Sequence, residues 1–171
     1  MDKTEAGSIS SPAVLSKMPG HMLRRCHQIA VAIFLDECRD ADLTPLQFVT
    51  LTTLIAHGGL DKATIGGVVA LDRTTVAVVV RNLEERGLVT CRPSEHDRRA
   101  KLIEITESGR AMVASVQGDV DRSQARILSP LSPEEREELQ RLLTKMASKN
   151  NLLSRAPHRL PRGLNEWPAE R

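Results

Sequence analysis

The residues with the plainest chemical purpose lie together in the stretch from Asp72 to Arg81. Arg73 and Arg81 carry planar donor forks that fit a phosphate or the acceptor edge of guanine. Thr74 and Thr75 can bond phosphate or base at a helix start, and Val78 can pack on a thymine methyl. Such a set suits double-stranded DNA. Two Phe, one Trp and no Tyr leave no stacking platform of the kind that readers of RNA and single strands use. The charge distribution agrees. From Arg73 to Lys101 there are seven basic and four acidic residues, hence +3 in a chain whose total is +2, and the remainder is near neutral or acidic.

A second concentration of polar groups is His21-Met22-Leu23-Arg24-Arg25-Cys26-His27-Gln28, where cationic and titratable side chains stand beside an apolar stripe. That composition suits an anion pocket, although Arg24 and Arg25 on a polar face, or in salt bridges between subunits, would read the same way. Cys26 lies between Arg25 and His27, and cationic neighbours favour a thiolate, so thiol-based redox sensing is a rival use. Against it, Cys26 falls on the apolar stripe, where a cysteine is commonly inert packing. The cysteines (Cys26, Cys38, Cys91) are odd in number with no C-x-x-C pair, which offers neither a disulfide framework nor a zinc knuckle. No metal is expected: His21 and His27 share no face with a carboxylate, while His57 reads as a helix-end residue and His96 as one facing phosphate. No glycine-rich phosphate loop, nucleophile elbow or HExxH helix is present, so neither an enzyme nor a cofactor is expected.

These residues need a scaffold, and 171 residues are about one domain's worth. No apolar run approaches the roughly 18 residues of a spanning helix, and the start of the chain lacks an apolar stretch behind a basic one, so a cytoplasmic protein is expected. Residues 1–19 read as a flexible arm. Leu23, Cys26, Ala30, Ile33, Phe34 and Cys38 recur at steps of three and four, predicting a helix over about 20–41. Thr44-Pro45-Leu46-Gln47 is a helix start, with Phe48, Leu51, Leu54 and Ile55 inward and Gly58-Gly59 as the stop. Asp61 caps a short helix. After a brief turn at Leu71, Asp72 caps another that runs to Arg86 and closes at Gly87. Four valines in this last segment favour a strand by composition, yet Val76, Val79, Val80 and Leu83 fall on one helical face and Thr74, Val78, Arg81 and Glu85 on another. Residues 88–92 and 101–105 are the strands of a charged hairpin. Thr106 caps a helix with Met112, Val113, Val116, Val120 and Ile127 inward. Ser132-Pro133-Glu134-Glu135 opens a final one with Leu139, Leu142, Leu143 and Met146 inward, and residues 156–171 read as an irregular tail.

The order is that of a winged helix-turn-helix, whose second helix enters the major groove. Asp72-Arg73-Thr74-Thr75-Val76, Leu83-Glu84-Glu85-Arg86-Gly87-Leu88-Val89 and Asp97-Arg98-Arg99-Ala100-Lys101 resemble the MarR family, as does the following strand with its Thr-x-x-Gly helix start. The resemblance spans about Met22 to Met146. It implies a mainly α fold: a single domain over 20–155, with a winged DNA-binding lobe at about 45–105 and dimerisation helices at about 20–41 and 107–155. It further implies a homodimeric repressor on a palindromic operator, with Arg98 entering the minor groove and Asp97 orienting a neighbouring arginine such as Arg99. A small anionic aromatic effector is implied between the two layers. There His21, Arg24, Arg25, His27 and Gln28 would bind a carboxylate and a ring heteroatom, and Leu46, Phe48 and Val49 would wall the ring. The helix at 20–41 also resembles that of the subgroup controlling nicotinate breakdown, which suggests 6-hydroxynicotinic acid. A ligand-independent DNA-binding protein is the other alternative.

Overall fold

The computed structural model describes residues 12–15, 17–93 and 101–160. Seven helices appear among them: α1 (Pro12–Leu15), α2 (Pro19–Glu37), α3 (Pro45–His57), α4 (Lys62–Val68), α5 (Arg73–Glu85), α6 (Glu107–Leu128) and α7 (Pro133–Lys149). Strands β1 (Leu60–Asp61), β2 (Val89–Pro93) and β3 (Lys101–Ile105) form one antiparallel sheet in the order β1-β3-β2. The chain is therefore mainly helical with a small winged sheet. No single helix among the described residues is long and apolar enough to cross a membrane.

Helix starts follow the sequence closely. Thr44 and Gln47 close a reciprocal capping box on α3, and Ser132 with Glu135 does the same on α7. Asp61 and Asp72 each accept two backbone N–H bonds at the starts of α4 and α5. Burial overrides propensity in α5, where Val76, Val79, Val80 and Leu83 are all buried and the valine-rich segment stays helical. They pack with Leu51 and Leu54 of α3, Ile65 of α4, Ile103 of β3 and Val113, Val116 and Val120 of α6 in one core.

Several boundaries and faces differ from the sequence reading. The arm 1–19 contains α1, and residues 1–11 lie outside the described residues. The helix expected to reach residue 41 ends at Glu37; a 3-10 turn follows at Arg39–Ala41, with Asp42 left-handed at φ 47°. The turn brings Cys38 and Leu43 into the core together, and Asp tolerates the left-handed conformation better than most residues. Ile55, expected inward, is exposed, and Phe48 is half-buried. Strand β1 has no signature in the sequence, because two residues pairing Leu60 with Ile103 and Asp61 with Leu102 leave no alternation to read. Of the irregular tail, Ala156 to Leu160 are described without helix or strand, and the rest lies outside the described residues.

Two tight junctions hold α5 in place. Between α4 and α5 the Leu71 N–H donates to the Gly66 carbonyl at 2.9 Å, and Ala70 is left-handed at φ 53°. This is the 6→1 bond of a Schellman ending, with alanine at the position glycine normally takes. After α5 the same motif recurs with Gly87 at φ 68°, the Leu88 N–H donating to Leu83 at 2.9 Å. Gly109 explains the Thr-x-x-Gly start of α6. A Cβ there would stand 2.7 Å from Ile105 Cγ1 and nearer still to the Leu88 carbonyl oxygen, so only glycine lets α6 pass this close to the sheet.

α7 is the exception to burial. None of its residues is buried in the single chain, and Leu139, Leu142, Leu143 and Met146, expected inward, are 36–47% exposed.

Candidate nucleic-acid interface

The capping aspartate and the buried valines together decide what α5 shows to solvent. With Val76, Val79, Val80 and Leu83 turned into the core, Arg73, Thr74, Val78 and Arg81 are all exposed. Asp72 organises the start of this face. Its Oδ1 accepts from the amides of Thr74 (3.0 Å) and Thr75 (3.1 Å), and its Oδ2 from the Thr75 hydroxyl (2.7 Å). The Thr75 hydroxyl proton is thus already donated within the cap, and only its lone pairs remain for a ligand. These bonds, that from the Thr75 side chain first, hold the Asp72 carboxyl below the ordinary carboxylate range.

The arginines divide by task. Arg73 forms no ion pair with a described residue. Arg81 lies 3.8 Å from Glu85 with both side chains about two-thirds exposed, so this loose pair is screened and readily exchanged for a phosphate. From sequence such pairing is expected at Arg86 rather than Arg81. Arg86 instead donates to the backbone carbonyls of Asp42 (2.6 Å) and Ala41 (2.9 Å), tying the end of α5 to the turn after α2. Arg92 forms a two-pronged pair with Glu104 across β2 and β3 at 2.7 and 2.6 Å, and this guanidinium draws the Glu104 carboxyl down. Its charge is neutralised within the hairpin. Asp97, Arg98 and Arg99, with His96, lie outside the described residues.

The residues expected to hold an effector are brought only partly together. Arg24, Arg25, His27 and Gln28 are exposed and His21 is half-exposed, with Arg24 donating to Gln28 at 2.7 Å. Leu46 and Val49 are also exposed, at 40% and 39%. The link between the two groups is an aromatic contact: Phe34 of α2 and Phe48 of α3 meet at a tilt, with centroids 6.0 Å apart and planes at 55°. His27 precedes Phe34 by seven residues, close to two full turns, so the two lie on nearly one face of α2.

The cysteines separate clearly. Cys26 is exposed rather than buried in the apolar stripe. Burial pushes the Cys38 thiol up, helped by the charges of Asp119 and Glu37, and burial with a Glu84 hydrogen bond does the same for Cys91. Among the described residues no three His, Cys, Asp or Glu side chains gather as a metal would need.

Sequence reasoning missed Lys62 at the start of α4 and Arg155 beyond α7, and left Arg159 of the tail open between a partner subunit, DNA and no contact; all three share one groove with Arg73. Nothing in local sequence announces a contact between residues so far apart in the chain.

Comparison with known proteins gives concordant results. The MarR family profile matches residues 43–101. The transcriptional repressor NicR of Pseudomonas putida is 38% identical over 104 residues, which is 61% of this chain and 66% of NicR, just under two thirds of its length. BpsR of Bordetella bronchiseptica, whose DNA binding is regulated by 6-hydroxynicotinic acid, superposes with a TM-score of 0.73 at 34% identity, covering 77% of this chain and 94% of BpsR. The repressor CouR, solved on a 23-mer DNA duplex, superposes with a TM-score of 0.72 at 28% identity, covering 85% of this chain and 99% of CouR. The family and these relatives are transcriptional regulators rather than enzymes.

Proposed function

The chain belongs to the MarR family, and on that premise we propose that it is a homodimeric repressor released from a palindromic operator by a small aromatic carboxylate. The observation that carries the reading is the exposed face of α5. Arg73, Thr74, Val78 and Arg81 are presented together by a helix whose opposite face is fully committed to the core. A helix held so firmly can enter the major groove without reorganising. Arg98 is proposed to enter the adjacent minor groove, with Asp97 orienting Arg99.

Dimerisation is proposed from the uncovered apolar positions of α7 and from Met22, Leu23, Ile29 and Leu35 of α2, all more than a third exposed. A second copy would cover both helices and set the two recognition helices about one helical turn of DNA apart, ~10 base pairs. The effector class is supported by the cationic start of α2 beside Phe34 and Phe48, and by BpsR, which responds to 6-hydroxynicotinic acid. Here His21, Arg24, Arg25, His27 and Gln28 would take the carboxylate and ring heteroatom, and Leu46, Phe48 and Val49 the ring. An effector of this kind acts only through a difference in its affinity for the DNA-competent and released states.

The test is fluorescence anisotropy with duplex from upstream of the protein's own gene and a panel of aromatic carboxylates including hydroxynicotinates. Specific binding released by one of them is the expected result. Specific binding that ignores all of them but falls on peroxide treatment would move the switch to Cys26. In the same assay Arg25→Ala is expected to bind operator normally and to need roughly tenfold more effector, as removal of one charge-assisted hydrogen bond implies; unchanged release would remove Arg25 from the pocket.

A further inference from the structure

Beyond α7 the chain does not lead away from the molecule but returns to the DNA-binding lobe. After a 3-10 turn at Asn151–Leu153, the Asn151 side chain brackets His158, donating to its carbonyl at 2.9 Å and accepting from its amide at 2.8 Å. The Arg159 amide then donates to the Gly67 carbonyl in α4 at 2.8 Å. Gly67 makes this approach possible, since a Cβ at that position would stand 3.0 Å from the Arg159 carbonyl oxygen.

The returning segment forms one wall of a groove of about 830 Å³. The other walls are the start of α4, the start of α5 with Arg73 and Ala77, and Lys101 at the start of β3. Five cations line it, Lys62, Arg73, Lys101, Arg155 and Arg159, against two carboxylates, Asp61 and Asp72. Both carboxylates are already engaged in capping bonds, and none of the five cations forms an ion pair with a described residue. The surplus is five minus two, or +3, and of the two carboxylates Asp72 also feels the charge of Arg155.

Position identifies the occupant. With α5 in the major groove and the β2–β3 hairpin beside it, the sugar-phosphate strand dividing the two grooves must pass between them. The cationic groove lies between those same two elements. We propose that the segment Arg155–Arg159, docked through Gly67, completes a channel for the DNA backbone, with Arg155 and Arg159 supplying phosphate contacts alongside Arg73 and Lys101. The inference rests on the DNA-binding reading above and extends it to a segment beyond the winged helix. Such contacts carry no sequence information and act on affinity and on its response to salt.

The test compares the full-length protein with Arg155→Ala/Arg159→Ala and, separately, with Gly67→Val, which displaces the segment while leaving every charge in place. Anisotropy is read on operator and on scrambled duplex over a salt series, with unchanged melting temperatures as the check on folding. The double variant is expected to bind both duplexes roughly tenfold more weakly and to lower the salt slope by about one for each phosphate it no longer neutralises. Gly67→Val is expected to move both quantities in the same direction. Unchanged affinity and slope in the double variant, or tighter binding that shows the segment obstructing DNA, would overturn the proposal. An effect of the arginines without any effect of Gly67→Val would overturn the docked placement. Absence of salt-dependent binding by the unaltered protein is a different result, since it sinks the DNA-binding reading itself.

Discussion

α5 and α7 are both strongly amphipathic helices with well-formed N-caps, yet α5 buries four of its apolar residues and α7 buries none. The difference lies in what surrounds them. α5 is capped by Asp72, closed by the Gly87 turn and packed by α3, α4 and the sheet. α7 has a capping box and an apolar stripe that the chain leaves 36–47% exposed. A 3.6-residue period therefore specifies that a face must be covered and leaves open which chain covers it. One region is finished by its own polypeptide; the other has the composition of half an interface.

The largest effect should come from attacking the finished region where it has no slack. Gly109→Val would drive a branched side chain into the Leu88 carbonyl and Ile105, and backbone cannot yield as a side-chain tip can. The expected cost is about 4 kcal/mol or more, which lowers the melting temperature by roughly 8–16 °C in a chain of this size. A melting temperature within a few degrees of the unaltered protein would show that the junction of sheet and α6 is far looser than these distances imply.

The unfinished region should respond in the opposite way. Leu142→Glu/Leu143→Glu places charge on a face already in contact with water, so the lobe is expected to stay folded. Light scattering should then report a monomer, and operator affinity should fall roughly a hundredfold or more as the second half-site becomes an independent binding event. A variant that stays dimeric with full affinity would assign the α7 stripe to some other contact.

The same contrast explains what can be read from sequence. Caps, breaks and the inward valines of α5 are legible because each is decided within a few residues: Thr44 with Gln47, Asp72 with Thr75, Val76 with Val79 and Val80. The stripe of α7 is legible as apolar, but its burial within the chain is not, because no residue of it is buried there. The role of Arg86 escapes a local reading because its acceptors, Ala41 and Asp42, are far away in sequence and offer backbone rather than charge. Strand β1 is defined solely by pairing with β3. Lys62, Arg155 and Arg159 converge on α5 only after the chain has folded back on itself. The exposed face of α5 is visible because one helix carries it; the groove beside it is not, because four separate segments build it.

The smallest expected effect concerns the chemistry of the caps and sets α3 against α4 and α5. α3 starts on the neutral pair Thr44 and Gln47, whereas α4 and α5 start on carboxylates. Burial raises the Asp61 carboxyl, but hydrogen bonds from Thr64 and Ala63 outweigh it, so Asp61, like Asp72, titrates below the ordinary range. A carboxyl lowered in the folded state contributes stability above its unfolded value, about 3.9, and loses that contribution as pH falls through the folded value. Acid should therefore loosen the starts of α4 and α5 before that of α3. Amide exchange between about pH 5 and pH 3, corrected for intrinsic rates, should show protection falling at Ala63, Thr64, Thr74 and Thr75 while Gln47 is unaffected. Equal loss at Gln47 would mean that acid opens the whole lobe at once and that the two aspartates do not set its local stability.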